Sequence, residues 1–241
     1  MLNSECFEAW NNVAKCYVKL GQKSRAWKAL QEAVKCNFEN WKVWDNLMVV
    51  SVGCCEYEEV IRAYNRILDL KEKHVDAEVL KILVQAIAED KEDNYGEKVG
   101  RLASSAHKLL GRITSQVTNH SGAWEAYAQL VQSEGDAFRV AQFLQKAYRS
   151  AVQEKNWEKD EESCLKTLKL SCRFIESCLV LLGKDCSKEN QQLAISAKLS
   201  LRSTISQVKR CYEFDIPESI SSQLHLMEKL QTDLTASLSP Q

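Results

Sequence analysis

Two stretches decide the fold. One is Ala9-Trp10-Asn11-Asn12-Val13, followed by Tyr17, Gly21, Ala26, Leu30 and Ala33; the other is Val43-Trp44-Asp45-Asn46-Leu47, followed by Ser51, Cys55, Val60, Tyr64 and Ile67. Every position of the second lies 34 residues after its counterpart in the first, and small or apolar side chains recur at most of them. A third copy opens at Ala123-Trp124-Glu125-Ala126-Tyr127 and continues through Gly135, Val140, Leu144 and Ala147, with Trp124 and Gly135 spaced as Trp10 and Gly21 are. Trp44 and Trp124 stand 80 residues apart, room for one further copy carrying about twelve extra residues if the period of ~34 holds. The polar stretch Glu89-Asp90-Lys91-Glu92-Asp93-Asn94-Tyr95-Gly96 is that insert, between an apolar helix expected over 77–88 and an amphipathic one expected over 98–117.

The pattern resembles the tetratricopeptide repeat, whose unit of ~34 residues reads W-x2-L-G-x2-Y and continues through small and apolar positions to a proline. Residues 7–40 match best; Ala14 stands where the family has glycine, Phe38 where it has proline, and Ser51 where it has tyrosine. The resemblance implies an all-α chain forming a right-handed superhelix, or α-solenoid. Its expected repeats are 7–40, 41–74, 75–120 with the insert, and 121–154. Two helices cannot bury both their faces alone, so each pair must stack on the next. Trp10, Trp44 and Trp124 are expected to fill the space between helices, and Ala26 and Ala33 to let helices approach closely. Trp157, in the charged stretch 154–162, is expected at the surface.

Beyond residue 155 the period gives way to longer helices, read as a C-terminal cap over 155–241. Leu165, Leu168, Cys172, Ile175, Leu179 and Leu182 form one apolar seam, which Gly183 is expected to end. Ala194, Leu201, Ile205, Val208 and Tyr212 form a second. Asp215, as N-cap, with Pro217 and Glu218 in the first turn, opens a third helix whose stripe is Ile220, Leu224, Met227, Leu230 and Leu234. The wider resemblance, covering the whole chain, is to the C-terminal part of a eukaryotic member of the superfamily. It implies an intracellular interaction protein without catalysis and a piece of a longer chain, so that the first helix exposes an apolar edge around Phe7, Trp10, Val13, Ala14 and Tyr17.

Composition agrees with long helices. The 241 residues are 45% hydrophobic, enough for a sizeable core, and hold only 8 glycines and 2 prolines, too few for a turn-rich β architecture. Ten cysteines fall below the density of a disulfide scaffold, and the opening Met1-Leu2-Asn3-Ser4-Glu5-Cys6 has no basic region followed by an apolar run. Reduced thiols and a cytoplasmic location, with the nucleus also open to the chain, are the expectation. No apolar run is long enough to span a bilayer, so no membrane partner is expected. The formal net charge of -1 provides no global field for nucleic acid.

No catalytic chemistry is legible. His74, His107, His120 and His225 are scattered, no CxxC or HExxH occurs, and Gly96-x3-Gly100 is followed by Arg101-Leu102 rather than by the lysine and hydroxyl of a phosphate loop. Neither metal, cofactor nor small-molecule substrate is expected, and the chain is read as a non-enzyme. Its partners are expected to be extended or helical segments of other proteins. The resemblance places binding on the concave face, on Glu8, Asn11, Asn12 and Lys15 of the first repeat and Lys42, Asp45, Asn46 and Val49 of the second. Asn11, Lys15, Lys42, Asp45 and Asn46 are the candidate contacts. The third repeat would offer Asp76, Val79 and Leu80, which does not match the clamp that other repeats use for chaperone tails. The helix around 79–87 is apolar nearly all round and is expected to be buried on two sides. A second candidate is the basic stripe Lys98, Arg101, Lys108 and Arg112, expected on one side of a single helix, where a solvated face is the commoner reading. An RNA-binding helical-repeat protein is the alternative; the absence of a basic excess argues against it.

Overall fold

The computed structural model describes residues 4–212 and 216–238; the expected cap at Asp215 lies outside them. The described residues form eleven α-helices, a 3-10 turn and no strand beyond one isolated bridge, and the chain divides into two compact units, Met1–Val117 and Thr118–Gln241. The first unit holds α1 (Ser4–Lys19), α2 (Lys23–Cys36), α3 (Trp41–Gly53), α4 (Tyr57–Leu70), α5 (Ala77–Ala88), the 3-10 turn Val99–Leu102 and α6 (Ala103–Gln116). The second holds α7 (Ser121–Glu134), α8 (Ala137–Val152), α9 (Glu161–Lys184), α10 (Lys188–Cys211) and α11 (Glu218–Leu238).

Each pair is punctuated at the same two places. The first helix of every pair is followed by a residue in the left-handed region: Gly21 (φ 73°), Cys55 (φ 60°), Asp90 (φ 45°) and Gly135 (φ 84°). A Cβ in that region costs about 1–2 kcal/mol, so the turn is cheapest with glycine, and cysteine fills it only under tertiary constraint. At the other end, a side chain caps the helix. Asn40 accepts from the Lys42 N–H, Asp76 from the Val79 N–H, and His120 Nδ1 from the Ala123 N–H. Burial of His120 lowers its pKa, which keeps the accepting nitrogen free of a proton.

Those caps stand four residues before Trp44, Leu80 and Trp124, so Leu80 takes the tryptophan position in the third pair, two residues later than a strict period places it. This corrects the register there. Asp76 is a cap, Val79 and Leu80 are buried, and the outward strip of α5 is Glu78, Lys81, Ile82 and Gln85. As expected, α5 is buried on two sides, through Val79, Leu83 and Ala86 and through Leu80, Val84 and Ile87.

Trp44 and Trp124 are buried, and their indole N–H groups donate to the carbonyls of Phe38 (2.9 Å) and Thr118 (2.8 Å), each in the segment entering the helix. In the first unit α2 packs against α3, and the Phe38 ring between them meets the Trp44 ring edge-on, with centroids 5.1 Å apart. Trp10 departs from the expectation and is 37% exposed: in α1, which packs against α2, Ala14 is buried but Trp10 and Val13 are not. The fully buried Ala26 and Ala33 give α2 its close approach.

The expected helix over 98–117 is broken. The insert folds into a tight loop in which Asp93 accepts from the Tyr95 and Glu97 N–H groups, and Asp90 Oδ1 accepts from the Gly100 N–H at 2.8 Å. A Cβ at Gly100 would sit 2.6 Å from that oxygen, so glycine allows the approach. The chain makes a 3-10 turn there and turns α-helical only from Ala103.

In the second unit α9 is the centre, packed against α8, α10 and α11. Cys164, Leu168, Cys172, Ile175 and Leu182 bury one side and Leu170, Phe174 and Leu181 another. The expected stripes of α10 and α11 are buried too, apart from the half-buried Tyr212. Two expectations fail here. Gly183 does not end α9, which runs on to Lys184 with Asp185 as its C-cap. Trp157 is only 5% exposed: the loop turns at Asn156 (φ 60°) and carries the ring into the core while most of its charged neighbours stay in water.

Two outcomes follow in urea unfolding. Trp44→Ala and Trp157→Ala each cost about 3–5 kcal/mol, and Trp10→Ala clearly less; equal losses at all three would contradict the packing. Gly135→Ala costs about 1–2 kcal/mol because of its φ, whereas Gly183→Ala, with open space around it, gains about 0.5–1 kcal/mol.

Candidate protein-binding groove

The stripe Asn11, Ala14, Lys15 and Val18 recurs at steps of three and four along α1 and faces Asn46, Val49 and Val50 of α3. Between the two helices lies an open groove of about 370 Å³. The buried Ala14 and Leu30 form its floor, Val18 and Val49 its half-exposed walls, and Lys15 and Lys19 part of its lining. Asn46 Nδ2 donates to Asn11 Oδ1 at 2.8 Å, joining the helices where the groove narrows to polar atoms.

Three of the five candidate contacts, Asn11, Lys15 and Asn46, therefore meet in one place. Lys42 is exposed near the start of α3 and does not line the groove. Asp45 turns away from it, with Oδ1 3.2 Å from Nε2 of His74, an ion pair when the imidazole is protonated. His74 also lies against the rings of Trp41 and Tyr64, so Asp45 serves to tie α3 to the segment leading into α5. Val18, Lys19 and Val50 were not singled out in the sequence, although the stripe along α1 contains the first of them.

The basic stripe is not one surface. Lys98 and Arg101 sit before the helix that carries Lys108 and Arg112, because the 3-10 turn intervenes. Lys98 pairs with Glu92 at 3.2 Å; Arg101 pairs with Asp93 and Glu97, both at 2.8 Å, and with Glu58 at 3.3 Å. Arg112 reaches from α6 to α4, pairing with Asp69 at 2.6 Å and donating to the Asn65 carbonyl. Lys108 alone of the four is exposed without a recorded ion pair among the described residues.

The described residues bury three cysteine thiols, Cys164, Cys172 and Cys178. Burial pushes the Cys164 thiol up to about 11 and the Cys178 thiol up to about 12, far from the thiolate a nucleophile requires. No group of three or more His, Cys, Asp or Glu among them could hold a metal ion, and none of their helices is long and apolar enough to cross a membrane. The second unit has a groove of about 390 Å³ on Val140 and Leu144, between the α7–α8 turn and α9, where Leu144 holds the repeat position of Leu30. Its charges are mixed: Arg173 pairs with Glu125 at 3.2 Å, and Glu176 and Lys184 share the lining.

The interhelical amide pair is testable on its own. A double-mutant cycle on Asn11→Ala and Asn46→Ala is expected to give a coupling of about 0.5–1.5 kcal/mol in unfolding free energy, and additive effects would show that the bond does not hold α1 to α3.

No family model matches the chain. It is similar to tetratricopeptide repeat-containing protein trd-1 of Caenorhabditis elegans, 31% identical over 230 residues that cover 87% of this chain and 30% of that protein. It is also similar to the tetratricopeptide repeat protein 27 homolog of Dictyostelium discoideum, 28% identical over 174 residues, covering 72% of this chain and 19% of that protein. The chain thus spans less than a third of the length of these relatives. Among solved structures, that of the MamA protein superposes with a TM-score of 0.54 at 12% identity, covering 89% of this chain and 98% of that one, a likeness of fold. With its punctuated helix pairs and buried tryptophans, the chain belongs to the tetratricopeptide repeat superfamily.

Proposed function

We propose that this chain is a non-catalytic adaptor in the cytoplasm that holds a segment of a partner protein in the α1–α3 groove, in the assembly of an intracellular complex. The observation that carries the reading is the groove itself: apolar surface left open on the face that the repeat pattern nominates for binding, about 370 Å³ in volume. Pockets that recognise ligands generally combine such apolar lining with a few polar groups, which Asn11, Asn46, Lys15 and Lys19 provide here. The alternative, RNA binding, would need cations free to contact phosphate, and three of the four residues of the basic stripe are already paired with carboxylates.

Site-specific photo-cross-linking distinguishes these readings. A photoreactive residue at Val49 is expected to give protein adducts in cytosol that survive nuclease treatment and disappear when Val18→Asp is added. One at Lys108 is expected to give none. Adducts confined to Lys108, or lost with nuclease, would overturn the assignment.

A further inference from the structure

We infer that the α1–α3 groove selects an acidic, aliphatic peptide segment, taken up through its side chains; this rests on the reading of that groove as the binding face. The aliphatic half follows from what the groove leaves uncovered. Ala14 and Leu30 are already buried, but Val18 is 49% and Val49 50% exposed, on opposite walls of the same space. An aliphatic side chain inserted between them removes apolar surface from water on both sides, whereas a polar one gives up its hydration for a lining that offers few partners.

The acidic half follows from the charges. Lys15 and Lys19 line the groove and Lys42 stands near the start of α3, and none of the three has a recorded ion pair among the described residues. No carboxylate lines the groove. Lys98, Arg101 and Arg112, by contrast, are matched to acids. Asp45, the acid on the neighbouring turn of α3, is directed at His74. Within the groove lining a partner carboxylate would meet Lys15 and Lys19, whereas a partner lysine would meet like charge with no lining carboxylate to offset it. The Asn46–Asn11 hydrogen bond keeps the two walls at a fixed separation, so insertion does not require the helices to move apart.

The test uses the 241-residue chain and fluorescein-labelled synthetic peptides, amidated at the C-terminus, read by anisotropy at low salt. One peptide alternates leucine with aspartate and glutamate; a second replaces each leucine by serine; a third replaces each acid by lysine. The first is expected to bind, with the other two at least about tenfold weaker, and added salt should weaken it. Lys15→Glu with Lys19→Glu, checked for unchanged helix content, is expected to reverse the preference between the acidic and lysine peptides. Equal binding of those two, an unchanged preference in the double variant, or no binding by any peptide would overturn the inference. Val49→Asp tests the reading beneath it: if the acidic peptide still binds that variant as it binds the parent chain, the groove is not the binding face. If instead the lysine peptide binds best and is lost on Val49→Asp, the groove stands and only the proposed chemistry falls.

Discussion

The indole of Trp44, lying between helices with its N–H satisfied by the Phe38 carbonyl, shows the constraint from which the rest follows. A pair of amphipathic helices has more apolar face than the pair can bury, and a large aromatic near the start of the first helix must be covered by something outside the pair. In the first unit α2 lies against α3, and Phe38, in the segment between them, packs edge-on against that ring. The hydrogen bond fixes where the entering segment crosses it, since a buried indole N–H without an acceptor would be costly. Trp124 repeats the arrangement with Thr118. Where the residue in this position is aliphatic, as at Leu80, packing alone suffices and the caps keep the register.

The same geometry opens the groove. Turning Ala14 and Leu30 inward in the first pair and Trp44 inward in the second leaves the stripe through Asn11, Lys15 and Val18 opposite Asn46 and Val49, uncovered. The small Ala14 contributes by keeping the floor deep. Open groove and core thus meet on one helix, at neighbouring residues in places such as Ala14 and Lys15.

What could be read in the sequence was what the helix period and the stacking rule govern together. The 34-residue offset related the first two helix pairs, the Trp124–Gly135 spacing pointed to another, and the apolar stripes located the last three helices. The failures lay where another force decides. The third pair starts two residues late because the α4–α5 connection holds six residues where the α2–α3 connection holds four, and with leucine in the tryptophan position only the cap at Asp76 marks the start. Trp157 was misplaced since local charge says nothing about a loop that turns inward at Asn156. The stripe on 98–112 looked continuous because helical periodicity ignores the Asp90–Gly100 contact that starts the helix late. Of the candidate site, the asparagines and Lys15 were legible, but the role of Asp45 was not, as its partner His74 comes from a different segment.

Charge placement separates the two candidate surfaces more sharply than charge number does. With 32 basic and 33 acidic residues, the chain has no long-range field, and any electrostatic selectivity must come from where pairing is incomplete. Arg101 gathers three carboxylates, Asp93 of the insert, Glu97 just after it and Glu58 of α4. Arg112 joins α6 to α4 through a side chain and a backbone carbonyl. Both guanidiniums are thereby engaged in holding the first unit together, and recruiting either for a ligand would first require breaking those bonds. Lys15 and Lys19 carry no such cost. Their ammonium groups have no ion pair to give up among the described residues, and they border an apolar surface from which a bound segment would displace water. The attraction they exert on a partner carboxylate is therefore not offset by breaking a salt bridge within the fold.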